Sequence, residues 1–140
     1  MADVTTGNAV TFSGPGFTDG IAGATLGPLQ SVYLDRTQTP PKWELADADT
    51  EATAGVASNE VGITLNAATD GGHVRVAHTG RITSSDTTFT VGEIYVVSTT
   101  AGGIAPYSDL TSGDVLTILG VGATATSIDV DVWPTGITLA

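Results

Sequence analysis

Residues 91–133 read VGEIYVVSTTAGGIAPYSDLTSGDVLTILGVGATATSIDVDVW and carry the clearest secondary-structure signal in the chain. Three runs within this stretch are apolar and β-branched: Glu93–Val97, Val115–Leu119 and Ser127–Trp133. Each run has the length of a short strand and is bounded by Gly, Pro, Ser or Asp, which favour turns. The stretch therefore predicts a β-meander or part of a small barrel, and no helix is needed to explain it.

The last of these runs alternates between apolar and polar residues, as a strand with one buried face does. Three of its residues are predicted to face a core: Ile128, Val130 and Val132. Three are predicted to face solvent: Asp129, Asp131 and Trp133. Core filling and strand pairing are the usual roles of such aromatics, but a tryptophan on a carboxylate-rich face is hard to place in the chain's own core, so Trp133 is also a candidate interface anchor.

Strand signals continue upstream of this stretch. The predicted strands are Gln30–Leu34, Lys42–Leu45, Ala54–Ala57, Val61–Leu65 and His73–His78. Asp70–Gly72 predicts a turn between the last two, and Thr79–Gly80 is expected to break the last strand. The fold class is therefore all-β: a small β-barrel or β-sandwich domain of short strands over residues 29–140.

A weak internal repeat runs through that domain. Tyr33 and Tyr95 are 62 residues apart, and so are Asp47 and Asp109. The sequence around each pair is a strand, a turn and a second short strand. This spacing suggests two related β-units that pack as halves of one barrel or sandwich.

Residues 1–28 differ from the rest, because glycines and two prolines interrupt them throughout. Only Ala9–Phe12 is predicted to form a strand there, so the segment is interpreted as an extended Gly-rich N-terminal arm. It is either a flexible terminus or an arm that becomes ordered by adding a strand to a partner. The residues expected to contact a partner protein or another subunit are Val10, Phe12, Phe17, Ile21, Leu26 and Trp133.

Composition limits the partners. The 140 residues include 15 acidic and four basic side chains, and the formal net charge is −11. Binding to nucleic acid or to an anionic membrane needs clustered cations, so neither partner is expected. The chain has no cysteine, no apolar run long enough to cross a membrane as a helix, and no visible secretory signal at its start.

Candidate chemical groups are few. Asp47, Asp49 and Glu51 could bind calcium, but a hand-type loop would need Gly and Glu where Ala52 and Ser58 stand. A solvated acidic loop is the preferred interpretation. We expect no metal and no cofactor.

The possible catalytic residues are equally few. Asp129 and Asp131 share one face of a strand, where exposure to water is the usual outcome. His73 and His78 lie on opposite faces of an extended strand and cannot both bind one metal ion without a bulge. We expect no catalytic residue, and hence no enzyme.

Two series of short sequence words carry a resemblance to a known family. The first series is VYLD (32–35), WELADAD (43–49), AGVA (54–57) and VGITL (61–65). The second is GEIYVVS (92–98), GGIAP (102–106), DLTSGD (109–114) and LGVG (119–122). Over residues 29–133 this pattern resembles the small capsid decoration (cement) proteins of tailed bacteriophages.

The resemblance implies an all-β protein on the outer surface of an icosahedral head, made in the host cytoplasm. It implies a homotrimer whose partner is the major capsid protein and whose role is to tie capsomers together without catalysis. One alternative is a carbohydrate-binding or adhesive β-module of a head or tail fibre, which would stack sugars on Trp43, Tyr107 or Trp133. The other is a small enzyme that uses Asp129, Asp131 or the histidines.

Overall fold

The computed structural model describes residues 10–85 and 87–140, and this part of the chain is all-β, as the sequence predicts. Its strands are β1 (Thr11–Ile21), β2 (Ser31–Asp35), β3 (Lys42–Leu45), β4 (Val61–Thr64), β5 (His73–Thr83), β6 (Ile94–Val97), β7 (Ile104–Pro106), β8 (Val115–Thr124) and β9 (Ser127–Thr138). The described residues contain no α-helix, and a single 3-10 turn, Tyr107–Asp109, follows β7.

All nine strands belong to one antiparallel sheet with the order β3-β2-β4-β5-β9-β8-β6-β7, and β1 pairs with β5. The sheet curls into a half-barrel, which is consistent with a small β-barrel domain. Backbone hydrogen bonds link its two ends: Gly102 N donates to Ala46 O at 2.8 Å, and Ala48 N donates to Ser98 O at 2.9 Å.

The two halves of the sheet have the same pairing pattern. In the first half β2 pairs with β3 and β4, and β4 pairs with β5; in the second, β6 pairs with β7 and β8, and β8 pairs with β9. Tyr33 lies opposite Glu44, and Tyr95 lies opposite Pro106, so residues that the weak repeat aligns have equivalent positions in the two hairpins. A common origin of the two units stays a prediction.

The main core lies inside the curled sheet and takes side chains from both halves. Its largest members include Ile63, Ile82, Tyr95, Leu119 and Ile128. The Tyr95 hydroxyl accepts a hydrogen bond from Thr90 N at 2.8 Å, so its one polar atom is satisfied. The predicted alternation of β9 is confirmed.

A second core lies on the other side of β2, β3 and β5, and residues 22–28 cover it. Its buried members are Ala22, Leu26, Val32, Trp43, Val74 and Val76. Leu26 is 2% exposed, and it exchanges two backbone hydrogen bonds with Ala68, at 2.8 and 2.9 Å. This segment is therefore part of the domain's own packing.

The predicted arm must accordingly be corrected from Thr11 onward. Residues 11–21 form an 11-residue strand on β5, not an unattached arm, and the boundary at residue 28 does not coincide with a break in packing. Glycine is the physical reason: a Cβ at Gly16 would collide with Thr79, and one at Gly20 would lie 2.5 Å from Trp43 Nε1. The same glycines that suggested flexibility allow close packing. Residues 1–9 of the predicted arm lie outside the described part.

Two further predictions about local structure are wrong. Ala54–Ala57 is not extended but forms successive turns, in which Ala54 N donates to Thr50 O at 2.9 Å. Ala and Gly are depleted in strands, so this run of small residues is a weak strand signal. Thr79–Gly80 does not end β5, which continues to Thr83, because Gly80 adopts a φ of 134° and leaves room for the Phe12 ring.

Candidate interaction surfaces

The first candidate surface is the free edge of β1. Within residues 10–85 and 87–140, β1 pairs with no named strand except β5, but Ala22, directly after β1, forms a bridge to Trp43 of β3. The other edge of β1 is therefore open to a further strand only before this bridge. Edge strands with unpaired N–H and C=O groups are the usual acceptors of an added strand. Pro15 and the register shifts between Ser13 and Phe17 interrupt this edge, and the regular part runs from Phe17 to Ile21.

Aromatic side chains flank this edge. Phe12 and Phe17 meet edge-to-face with ring centroids 6.2 Å apart, and Phe17 is 39% exposed. The Arg75 guanidinium carbon lies 4.3 Å from the Phe17 ring centroid, which is a cation–π contact. With Val10 and Leu65, these side chains line an open depression of about 560 Å³.

The charges beside this depression are paired. The Arg75 Nε–H donates to Asp19 Oδ1 at 2.9 Å, and His73 Nε2 lies 2.9 Å from the same oxygen. The hydrogen bond from Arg75, and then that from His73, lowers the pKa of the Asp19 carboxyl below its ordinary value. Arg75 thus reaches Phe17 while its charge is balanced.

All four basic side chains of the sequence lie beside a carboxylate. The N···O distances are 2.8 Å for Arg36–Glu60, 3.8 Å for Lys42–Asp70, 2.9 Å for Arg75–Asp19 and 2.8 Å for Arg81–Asp129. These exposed pairs contribute little stability individually. Their consequence is that every cation is locally balanced, and the surplus negative charge remains on the surface.

The second candidate surface is the outside of β6, β8 and β9, here called the outer apolar face. It consists of six apolar residues: Ile94, Leu116, Ile118, Val121, Trp133 and Ile137. Trp133 is 62% exposed and Ile137 is 54% exposed. Large apolar side chains that lie together on a surface are typical of an interaction site.

Strand register places these six side chains together. Directly opposed residues in an antiparallel sheet point to the same side, and three such pairs occur here. They are Ile94 with Val121, Ile118 with Trp133, and Leu116 with Ile137. A bulge between Ile118 and Gly120 shifts the alternation of β8, so that Val121 also faces outward.

Charged and polar groups border the outer apolar face. Asp129 lies on β9 opposite Val121, and the hydrogen bond from Arg81 lowers the pKa of its carboxyl. Beyond Trp133 is an open groove of about 480 Å³, which His78 and Thr18 also line. Val61 O accepts a hydrogen bond from His78 Nδ1 at 3.1 Å, and Nε2 of the same ring lies 2.7 Å from Thr18 Oγ1, so both ring nitrogens have partners.

No protein family model matches this chain, and no curated protein matches it. Its surfaces must therefore be interpreted from their own geometry. In the part of the chain that the structure describes, no helix is long and apolar enough to cross a membrane.

The structure separates the predicted contact residues into three groups. Val10, Phe12 and Phe17 lie together at the depression beside β1, with the first two half-buried. Ile21 is half-buried at the far end of β1, opposite His73. Leu26 is wrong as a contact residue, because it is buried in the second core. Trp133 is exposed on β9, as the sequence predicts.

Sequence reasoning missed the five residues that surround Trp133 on its face. Leu116 and Ile118 alternate with the buried Val115 and Thr117, and this period-two signal in β8 could have identified them. Val121 falls out of that alternation because of the bulge, so its orientation was not readable from the sequence.

The other candidate groups form no chemical site among the described residues. Asp47 Oδ1 accepts hydrogen bonds from Thr53 Oγ1 at 2.7 Å and from Asp49 N at 3.0 Å, so the acidic loop is held by its own turn. Residues 10–85 and 87–140 contain no group of three or more His, Cys, Asp or Glu side chains that could hold a metal ion. Asp129 is engaged with Arg81, and the two histidines bond to different partners.

Of the three aromatic residues considered for sugar stacking, one is removed. Trp43 is 1% exposed and packs in the second core, so a ligand cannot reach its ring. Tyr107 and Trp133, at 44% and 62% exposed, remain accessible.

Proposed function

We propose that this protein is a structural virion protein that decorates and stabilises the outer surface of a phage capsid. Its partner is the major capsid protein, and it acts by non-covalent bridging of capsomers. The resemblance over residues 29–133 supports this assignment. The observation that carries it is the open edge of β1 beside the exposed Phe17 ring, because a cement protein must bind other polypeptides strongly through a limited surface.

Strand addition is the binding mode that this edge favours. Backbone hydrogen bonds from a capsid strand would supply affinity, and the depression around Phe12 and Phe17 would accept an apolar side chain from that strand. In the proposed contact, β1 therefore receives a strand from the capsid protein. The arm predicted from the sequence would instead have added residues 1–28 as a strand to the capsid protein. The balanced charge of Arg75 lets an apolar partner approach without meeting an unpaired cation.

The acidic surface fits the outward-facing side of such a protein. Fifteen carboxylates against four cations give a surface that repels its equivalents on other particles, which keeps virions apart. In this proposal the protein acts as a homotrimer on the outer capsid surface, after synthesis in the host cytoplasm. No step of this role needs a catalytic group, a cofactor, nucleic acid or a membrane.

The test is co-sedimentation with undecorated heads of the phage that encodes the chain. Phe17→Ser removes the exposed ring beside β1, and we expect at least about a tenfold weaker affinity for heads. Tyr107→Ser is a matched control, because Tyr107 is similarly exposed, at 44% against 39%, and lies on the 3-10 turn after β7. Equal binding by both variants would rule out β1 as the contact.

Deletion of residues 2–9 separates the edge from the segment that precedes it. This deletion leaves β1 and its pairing with β5 intact. If the edge carries the contact, the truncated protein keeps most of its affinity for heads. If binding disappears while the circular-dichroism spectrum stays unchanged, the preceding segment carries it instead.

The alternative function is that of a carbohydrate-binding or adhesive β-module of a head or tail fibre. Exposed aromatic faces at Trp133 and Tyr107 favour it. A glycan array tests it directly: specific binding that is lost in Trp133→Ala, by a protein that does not pellet with heads, would replace the capsid assignment.

A further inference from the structure

Four side chains of the outer apolar face are exposed to solvent, whereas Val96, which lies opposite Ile118 on the same side of the sheet, is buried. Cross-strand pairs join β6 to β8 through Ile94 and Val121, and β8 to β9 through Ile118 and Trp133. The four most exposed members are Ile94, Val121, Trp133 and Ile137. Their exposed side chains amount to on the order of 400 Å², which reaches the size of the largest patches on ordinary monomers.

Charge decides which partner this face fits. Each copy of the chain carries a formal charge of −11, so two copies repel each other wherever their carboxylates meet. The six residues of the outer apolar face carry no charge, and Arg81 pairs with Asp129 at its border with an N···O distance of 2.8 Å. The exposed Asp131, on the same side of β9 as Trp133, is a carboxylate that the contact must accommodate. Copies of this chain can therefore approach most closely at this face.

The area of the outer apolar face is large enough to form the centre of an interface between two copies of the chain. A stable interface needs about 800 Å² from each side, and its centre is about two-thirds apolar. A patch on the order of 400 Å² provides such a centre, and the polar groove beside Trp133 provides a rim. Tryptophan is also among the residues that most often dominate interface energetics.

We propose that the outer apolar face is the contact between copies of this chain, with Trp133 as its central anchor. This inference deepens the homo-oligomeric part of the proposed function and does not depend on binding to a capsid. In the sheet order, β5 and β9 stand between β1 and β8, but Thr18 of β1 lines the groove beside Trp133, so the two candidate surfaces adjoin there. An oligomer centred on β6, β8 and β9 would leave the depression at Phe12 and Phe17 free.

Sedimentation equilibrium of the full chain tests the proposal without any capsid. The wild-type protein is expected at a multiple of its 14.0 kDa chain mass. Trp133→Asp and, separately, Ile137→Asp place a charge in the contact, and each should weaken association at least about thirtyfold. Ala101→Asp adds the same charge at an exposed turn away from this face and should leave the mass unchanged.

Two controls keep the result interpretable. Trp133→Phe retains a large aromatic ring and should keep most of the association. If any replacement of Trp133 disrupted the protein, this variant would lose the association too. Because Trp133 and Ile137 are exposed, the Asp variants should keep the β-rich circular-dichroism spectrum and melt within a few degrees of wild type. A wild-type protein that is a monomer at all concentrations, or Asp variants with the wild-type mass, would overturn the proposal.

Tryptophan fluorescence gives an independent readout. The chain has two tryptophans, and Trp43 is 1% exposed within its own core. A red shift and stronger acrylamide quenching on dilution should therefore come from Trp133 as copies separate. Emission that does not change across the dissociation range would place the contact elsewhere, whatever the result with heads.

Discussion

Replacing Leu26 by alanine tests whether residues 22–28 belong to the folded domain. Leu26 is 2% exposed in the second core, which it shares with Trp43, Val32, Val74 and Val76. Its backbone hydrogen bonds to Ala68 do not involve the side chain, so the substitution removes only apolar packing.

The expected loss follows from that burial. Three carbon atoms leave the core, at about 0.8 kcal/mol each, which gives about 2.4 kcal/mol for transfer alone. A residual cavity in the second core brings the loss of unfolding free energy to about 3–4 kcal/mol. For 140 residues, an unfolding entropy of about 0.3 kcal/mol per kelvin converts this loss into a Tm lower by about 10–13 °C.

Urea and thermal unfolding, followed by circular dichroism, measure the effect. Val91→Ala is the control, because Val91 is 68% exposed and its truncation should change the unfolding free energy by less than about 0.5 kcal/mol. A loss below about 0.5 kcal/mol for Leu26→Ala would mean that this segment is a free arm in solution, and the packing described above would be refuted.

Three further predictions concern stability. Thr117→Val should cost about 1–3 kcal/mol in urea unfolding, because the buried Thr117 hydroxyl donates to Ala54 O at 2.8 Å and the carbonyl would lose that donor; an unchanged midpoint would contradict it. Gly16→Ala should lower the Tm and raise amide exchange in β1, since the added Cβ collides with β5; normal exchange would show that the strand can shift freely. Arg81→Gln should reduce stability in full above pH 3.8 and by less as the pH falls, because Asp129 has a lowered folded-state pKa and the pair's contribution is lost as pH falls through that pKa. A difference that persists at pH 2 would point to another cause.

Strands in which apolar and polar residues alternate regularly could be predicted from the sequence, because the alternation itself shows which side chains face the core. The Lys42–Leu45 strand has the predicted bounds, and Ser127–Trp133 has the predicted inner and outer faces. Both runs combine β-branched or aromatic residues with a clear period of two, so side-chain burial and backbone preference agree.

The misread segments are those in which contacts distant in sequence decide the structure. Glycines in β1 have meaning only once Thr79 and Trp43 are known to lie against them. Gly80 likewise continues β5 because the Phe12 ring lies over it, a contact between residues far apart in the chain. Such close approaches cannot be deduced from propensity alone.

The candidate surfaces were predictable only in part, for the same reason. Trp133 was identified because its own strand alternates, whereas Val121 joins the same face only through the bulge in β8. The β1 edge could not be found from the sequence, because recognising a free edge requires knowing which strands pair and which do not.

The central claim, that the open edge of β1 binds capsid protein, is tested most directly by hydrogen–deuterium exchange on the free and the head-bound protein. We predict that amides of residues 17–21 become protected on undecorated heads, while those of residues 104–110 exchange at the same rate in both states. Failure to bind heads, or binding that leaves residues 17–21 as exchangeable as before, would contradict the claim.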